Sequence, residues 1–276
     1  MSISVVVTTY NQPEWLALSL TGLAAQGDRD FSVLVADDGS GSETRACIER
    51  VRARTGLPIE HVWHEDRGFR KCEILNRAIR ASGDDYLIFI DGDCIARRDF
   101  VGVHRALRRP RRFLSGGYVK LDEAVSAAIT ADDVDAGRPT EYRWLRARGA
   151  RASRRLRRLG LPRGVGAVLD FLTPTRASFN GHNASAWRAD LEAVNGFNED
   201  MGYGGLDREL GERLENAGVR GTQVRHRAAV VHLDHPRGYR DQDVLRRNRA
   251  IRDEVAATGR IWTAAGLDRQ SQGEPV

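Results

Sequence analysis

The N-terminal third of the chain alternates short apolar runs with stretches of helical period. Ser2–Thr8 is a near-continuous apolar run of the kind buried on both faces of a parallel sheet. Pro13 then opens a helix to about Gln26, with Trp15, Leu16, Leu20 and Leu23 on one face. Phe31–Ala36 predicts a second strand, ending in Asp37-Asp38-Gly39-Ser40. A helix over about Glu43–Arg54 and a strand at Ile59–Trp63 follow. Arg70–Ala81 reads as a helix whose apolar face is Ile74, Leu75, Ala78 and Ile79, and Tyr86–Ile90 as a buried strand. Repeated βαβ units with right-handed crossovers predict an α/β fold: a Rossmann-like open, mostly parallel sheet flanked by helices. In such a sheet the ligand crevice lies at the C-terminal ends of the strands. The polar clusters Thr8–Asn11, Asp37–Asp38 and Asp91–Asp93 all fall at such ends.

The second half is less regular. Phe113–Leu121 is expected as a strand, Asp122–Leu159 as mostly helical and polar, and Phe179–Trp187 as another strand. Gly204-Gly205-Leu206-Asp207 reads as a turn into a helix that runs to about Asn216, with Gly218 closing it. Gln223–Val231 is expected as a strand ending at His232, and Asp241 to about Thr258 as an amphipathic helix. With no internal repeat and no flexible linker, one composite domain is expected.

Composition narrows the class. At 276 residues, 41% hydrophobic and 29% charged, the chain is an ordinary globular one. No apolar run approaches the roughly 20 residues of a membrane span. Met1-Ser-Ile-Ser lacks the basic-then-apolar layout of a signal peptide. Cys47, Cys72 and Cys94 have no paired spacing, so a reducing, cytoplasmic setting is expected. The formal net charge is +5, and all but two of the 43 basic residues, Lys71 and Lys120, are arginine. Such a skew resembles a codon bias more than a designed phosphate surface, and nucleic acid is not expected as a partner. Placement is more informative. Arg143 to Arg163 holds nine arginines and no acid, interleaved with Trp144 and leucines. The stretch reads either as a solvated helix face or as a peripheral contact with an anionic membrane.

The densest chemistry lies in Tyr86–Asp93, Tyr-Leu-Ile-Phe-Ile-Asp-Gly-Asp, where a buried strand runs into two carboxylates one residue apart. Asp91 and Asp93 can converge on one hard cation, Mn2+ or Mg2+, which keeps waters and bridges to phosphate oxygens. The same residues also read as a strand followed by an Asp-Gly turn. The first strand exit, Thr8-Thr-Tyr-Asn-Gln-Pro13, contains no glycine-rich phosphate loop, which disfavours dinucleotide folds and P-loop nucleotidases.

Five motifs in order then carry a resemblance. They are Val5–Asn11, Val35–Ser40, Asp66–Lys71 with Asn76, Phe89–Asp93, and Asn195–Asn198 through Gly204–Asp207. Together they resemble the family 2 glycosyltransferases of GT-A fold, similar to chondroitin-polymerase-like N-terminal domains with a galactosyltransferase-like C-terminal segment. The resemblance covers about residues 2–235. It implies a nucleotide-sugar-binding half at 1–121, an acceptor-binding and catalytic half at 122–240, and a C-terminal helix and tail at 241–276.

The resemblance also implies roles. Thr8, Tyr10, Asn11, Asp37 and Asp38 would hold base and ribose, with Arg67, Arg70 and Lys71 facing the diphosphate. Asp93 would bind the cation, Asp91 would sit nearer the ribose or beside the metal, and His232 would be a further metal ligand with His235 its rival. Asp207 would be the catalytic base, although Leu206 stands where the family usually carries a second acid. Tyr203, Gly204 and Gly205 would contact sugar. The expected activity is metal-dependent, inverting transfer from a nucleotide-sugar, a UDP-hexose or UDP-N-acetylhexosamine, to a saccharide or lipid-linked acceptor in surface polysaccharide synthesis. A nucleotidyltransferase and a non-enzymatic polyanion-binding protein are the alternatives.

Overall fold

The computed structural model describes residues 2–234 and 241–269. Its first half follows the expected alternation: β1 (Ile3–Thr9), α1 (Pro13–Ala24), β2 (Ser32–Asp37), α2 (Ser42–Thr55), β3 (Ile59–Trp63), α3 (Lys71–Ala81) and β4 (Tyr86–Asp91). Then come β5 (Cys94–Ala96), α4 (Phe100–Leu107), β6 (Arg112–Ser115) and β7 (Gly117–Lys120). A run of short helices follows, α5 (Glu123–Ala127), α6 (Ala131–Asp135), α7 (Tyr142–Ala147) and α8 (Arg163–Leu172). The chain continues through β8 (Ala184–Trp187), α9 (Arg188–Ala193), α10 (Leu206–Asn216), β9 (Arg220–Gln223), β10 (Ala229–His232) and α11 (Gln242–Thr258). Among the described residues no helix is long and apolar enough to cross a membrane.

Seven strands form one sheet in the order β3-β2-β1-β4-β8-β6-β9, parallel from β3 to β4 and antiparallel at both neighbours of β8. The period of two in each strand feeds two cores. Val5, Val7, Val33, Val35, Ile88 and Ile90 pack on one face against Leu16, Leu20, Leu23 and Ile48 of α1 and α2. Val6, Leu34, Leu87 and Phe89 pack on the other against α3, α9 and α10. A small sheet, β5-β10-β7, stands beyond the C-terminal end of β4.

Two expected strands are each divided. Phe113–Leu121 breaks at Gly116, because the Asn183 amide occupies the space a side chain there would need: a Cβ would lie 2.0 Å from Asn183 Oδ1. Asn183 Nδ2 donates to Gly117 O and Ala228 O, both at 2.8 Å, and so diverts β7 into the small sheet. Gln223–Val231 becomes β9 and β10, separated by a turn in which Ala228 N donates to Val224 O at 2.7 Å. The Asp122–Leu159 region is helical only in short pieces.

Helix α10 is fixed by a buried ion pair. Arg213 and Glu209 are sealed from solvent, and Arg213 donates from Nε and Nη2 to the two Glu209 oxygens at 2.8 and 2.7 Å. Arg213 also donates to Val194 O and Gly196 O, which ties the helix to the loop after α9. Arg213→Met strands the Glu209 charge in the core and is expected to cost about 3–5 kcal/mol. Urea denaturation measures this; a cost below about 1 kcal/mol, the range of exposed pairs, contradicts the assignment.

Candidate active site

The parallel register sets Thr8 beside Asp91 at the ends of β1 and β4. Thr8 Oγ1 and Lys71 Nζ both donate to Asp91 Oδ1, at 2.8 and 2.6 Å. Gly92 follows because no larger residue fits. Its N–H donates to Thr8 O at 2.7 Å, and a Cβ would stand 2.8 Å from that oxygen. Burial works against the charge on Lys71, but Asp91, Asp207 and Asp93 outweigh it and hold the ammonium well above the usual lysine range. Burial likewise pushes Asp91 up, and Lys71 more than reverses that, leaving it well below the usual carboxylate range.

The small sheet delivers the next group. Antiparallel pairing of β10 with β5 sets His232 opposite Cys94, and Leu233 N donates to Asp93 O at 2.9 Å. His232 Nε2 then lies 3.5 Å from Asp93 Oδ2. His232 Nδ1 is 2.6 Å from Leu233 O, which assigns the ring proton to Nδ1 and turns the Nε2 lone pair toward Asp93. Ligand atoms of Asp93, Cys94 and His232 lie within 4.8 Å of one another, a spacing one metal ion can bridge. Burial pushes the Cys94 thiol far up, so the readier donors are the carboxylate oxygen and the neutral imidazole nitrogen, a pair that can take a divalent cation.

Opposite this group stands Asp207, one residue into α10. Helix capping is not its role, because Gly205, in the left-handed region at φ 84°, holds the cap position. Asp207 Oδ1 is buried with no hydrogen-bond partner among the described residues. Gly181 presses against it, where a Cβ would lie 2.6 Å from Oδ1. Burial raises the Asp207 carboxyl above the ordinary aspartate range, with Asp91 adding to the rise and Lys71 and the nearby Gly181 backbone N–H opposing it. The preceding loop is clamped from α11: Asn248 Nδ2 donates to the carbonyls of Gly202, Tyr203 and Gly204 at 2.9, 3.2 and 2.8 Å.

Thr8, Tyr10, Asp38 and Lys71 line one cleft of about 620 Å³ together with Asp91, Asp93, Asp207 and His232. Tyr203, Gly204 and Gly205 complete its far wall. Asp38 accepts from the Arg70 N–H at 3.0 Å and pairs with His64 at 2.8 Å. Four expected residues do not reach the cleft wall. Asp37 is turned into the fold, where it accepts from Ser40 N at 2.9 Å and meets His61 Nε2 at 2.8 Å. Asn11 joins the first two strand exits, accepting from Gly41 N at 3.1 Å and donating its N–H to Ser40 Oγ at 2.8 Å. The Arg67 guanidinium goes to Glu65 at 2.8 Å, and that of Arg70 to Glu73 at 2.8 Å. His235 lies outside the described residues.

Among the cleft residues not expected from sequence, Tyr118 and His182 stand together. Tyr118 lies edge-on to His182 at 4.6 Å, and burial pushes the His182 imidazole down to about 4, so it is neutral. Both sit in stretches that read as continuous strands. The Asn-Gly dipeptide at 180–181 was the available turn signal for His182.

The glycosyl transferase family 2 model matches residues 4–106, and the model described as the N-terminal domain of galactosyltransferase matches residues 173–236. Validoxylamine A glucosyltransferase of Streptomyces hygroscopicus subsp. limoneus is 31% identical over 228 residues, 79% of this chain and 48% of that protein. Chondroitin synthase of Escherichia coli is 33% identical over 92 residues, 33% of this chain and 13% of that protein. The chain thus spans about half the length, or less, of these curated relatives. A mannosyltransferase from Pyrobaculum calidifontis, solved in complex with GDP-Man and Mn2+, shares the fold with a TM-score of 0.58 and 20% identity, covering 86% of this chain and 58% of that one. Staphylococcus aureus TarS 1–349 in complex with UDP-GlcNAc gives a TM-score of 0.57 at 15% identity, covering 93% of this chain and 71% of that one. By these matches residues 4–106 of this chain belong to glycosyl transferase family 2, and residues 173–236 to the galactosyltransferase domain that follows it.

Proposed function

We propose that the cleft transfers a hexose or N-acetylhexosamine from a uridine-diphosphate donor to a saccharide hydroxyl, with inversion at the anomeric carbon. The observation that carries this is the placement of Asp207: a half-buried carboxylate, one oxygen of which has no hydrogen-bond partner among the described residues, lining the same cleft as Asp91, Asp93 and His232. Thr8, Tyr10 and Asp38 lie where the base and ribose would sit, and an Asp38 oxygen can accept from a uracil N–H. Asp93 and His232 would hold a divalent cation, which when bound neutralises the diphosphate's charge. The complexes of related folds with GDP-Man and Mn2+ and with UDP-GlcNAc support a nucleotide-sugar donor and a divalent cation in general.

Asp207 takes the proton from the acceptor hydroxyl as its oxygen attacks the anomeric carbon. The bond to the diphosphate oxygen breaks on the opposite face, and the nucleoside diphosphate leaves with the electron pair. A raised carboxyl suits a base that must accept a proton and still be ionised at neutral pH. Lys71, held charged, braces Asp91 at the floor. Tyr203 offers a ring for the sugar and lies edge-on to Phe69 at 5.9 Å.

Asp207→Asn keeps the side chain's shape and removes the base, and turnover is expected to fall by about 10²–10⁴ with donor affinity unchanged. Glu209 cannot substitute, because both its oxygens are bound to Arg213. A loss of only a few-fold in steady-state assays contradicts the assignment. A base must be deprotonated, so activity is lost as pH falls through the raised Asp207 value. The acidic limb of the rate profile therefore lies above about 3.9, the ordinary aspartate value. A limb at or below that value removes Asp207 from the role.

Manganese and UDP together should raise the melting temperature, since a ligand bound only by the native state stabilises it. Asp93→Ala is expected to abolish this joint shift while the ligand-free protein still melts cooperatively. Retention of the full shift overturns Asp93 as a ligand.

A further inference from the structure

Helix α8 turns its apolar side away from the protein. Val165, Val168, Leu169 and Leu172 recur at i, i+3, i+4 and i+7, which makes them one stripe. They are 45%, 56%, 36% and 65% exposed, and Phe171 beside them is 88% exposed. The inward side is instead small and polar. A Cβ on Gly166 would come within 3.3 Å of His226 O. Asp170 accepts from His226 N and Arg227 Nε at 2.9 and 2.8 Å and meets His226 Nδ1 at 2.9 Å. These contacts fix the helix with its apolar stripe facing out, and a contiguous apolar patch of this kind marks an interaction surface.

Charge selects the occupant. Between Tyr142 and Ala189 the only acid is Asp170, and it is already taken by His226 and Arg227. The segment leading into α8 carries the arginines, of which Arg154, Arg155 and Arg157 are exposed. A second copy of this chain would set arginine against arginine across the stripe. An anionic bilayer meets both demands, with negative headgroups for the guanidiniums and an acyl boundary for the stripe. The patch also borders the cleft: Arg155 Nη1 lies 3.3 Å from Tyr118 Oη, and its guanidinium is 5.2 Å from the ring of that cleft-lining residue.

We propose that α8 and the arginine-rich segment before it form a docking surface for an anionic lipid bilayer, with Phe171 and Leu172 entering the headgroup–acyl boundary. That docking presents the cleft to a lipid-borne acceptor rests on the transfer reading above; the docking itself does not. Sedimentation with vesicles of phosphatidylcholine, alone or mixed with phosphatidylglycerol, tests it without donor or metal. The protein is expected to pellet with the mixed vesicles only. Phe171→Ser combined with Leu172→Ser should lower the partition coefficient about a hundredfold, since two apolar side chains lose their burial. Arg154→Gln combined with Arg157→Gln should weaken binding and flatten its salt dependence. Unchanged binding of the serine variant, equal binding to neutral vesicles, or no binding to either overturns the proposal. So does a concentration-dependent dimer that the serine substitutions abolish. Metal-dependent donor hydrolysis by the same serine variant, without lipid, should match the unaltered protein. Loss of hydrolysis in the unaltered protein would count against the transfer reading and leave the sedimentation result standing.

Discussion

One ammonium surrounded by carboxylates sets the character of the cleft. Lys71 is bonded to Asp91 and lies in the field of Asp207 and Asp93, and their combined pull overcomes the cost of keeping it charged in a recess. The pairing is incomplete by design of the charge count, since three carboxylates face one lysine. A floor of that sign repels a diphosphate, which is the physical reason a cation enters the proposed donor binding. Asp93 and His232 form the edge of the floor where that cation fits by donor type and spacing. Asp207, on the other wall, stays out of the Lys71–Asp91 bond and keeps an oxygen unengaged. Lys71 thus engages Asp91, and Asp93 and Asp207 are left for the metal-holding and proton-accepting roles proposed for them.

The scaffold delivers these groups from four directions, each by an identifiable contact. The β1–β4 register sets Thr8 against Asp91, and the missing side chain of Gly92 lets the turn close on β1. The β5–β10 pairing carries His232 to Asp93. The Arg213–Glu209 pair holds α10 against the loop after α9, while Asn248 grips three successive carbonyls of the loop that presents Asp207. The ion pair acts from within α10 itself, whereas Asn248 comes from α11, far along the chain.

Much of the first half was legible because its strands and helices have unambiguous periods and its polar clusters fall at strand ends. Thr8, Asp38, Lys71, Asp91 and Asp93 could be read there and do meet in one cleft. What sequence did not show was which charged groups are already satisfied. Asp37 and Asp38 are adjacent, yet the alternation of the strand turns Asp37 to His61 inside the fold and leaves Asp38 at the cleft. Arg67 and Arg70, expected to face a diphosphate, have Glu65 and Glu73 as ion-pair partners that the sequence pattern alone did not assign. His182 and Tyr118 were hidden because the Asn183 wedge, a contact between segments far apart in the chain, breaks what looked like unbroken strands. Helix α8 was illegible for the opposite reason: its apolar spacing is that of a core helix, yet the structure turns that side outward.

The division of labour among the carboxylates is tested most directly by locating manganese in crystals grown with UDP, using its anomalous scattering. The account predicts one peak bridging Asp93, His232 and the diphosphate, with Asp91 still bonded to Lys71 and Asp207 free of metal. A peak held by Asp207, or one at Asp91 with Lys71 displaced and His232 uninvolved, would contradict it.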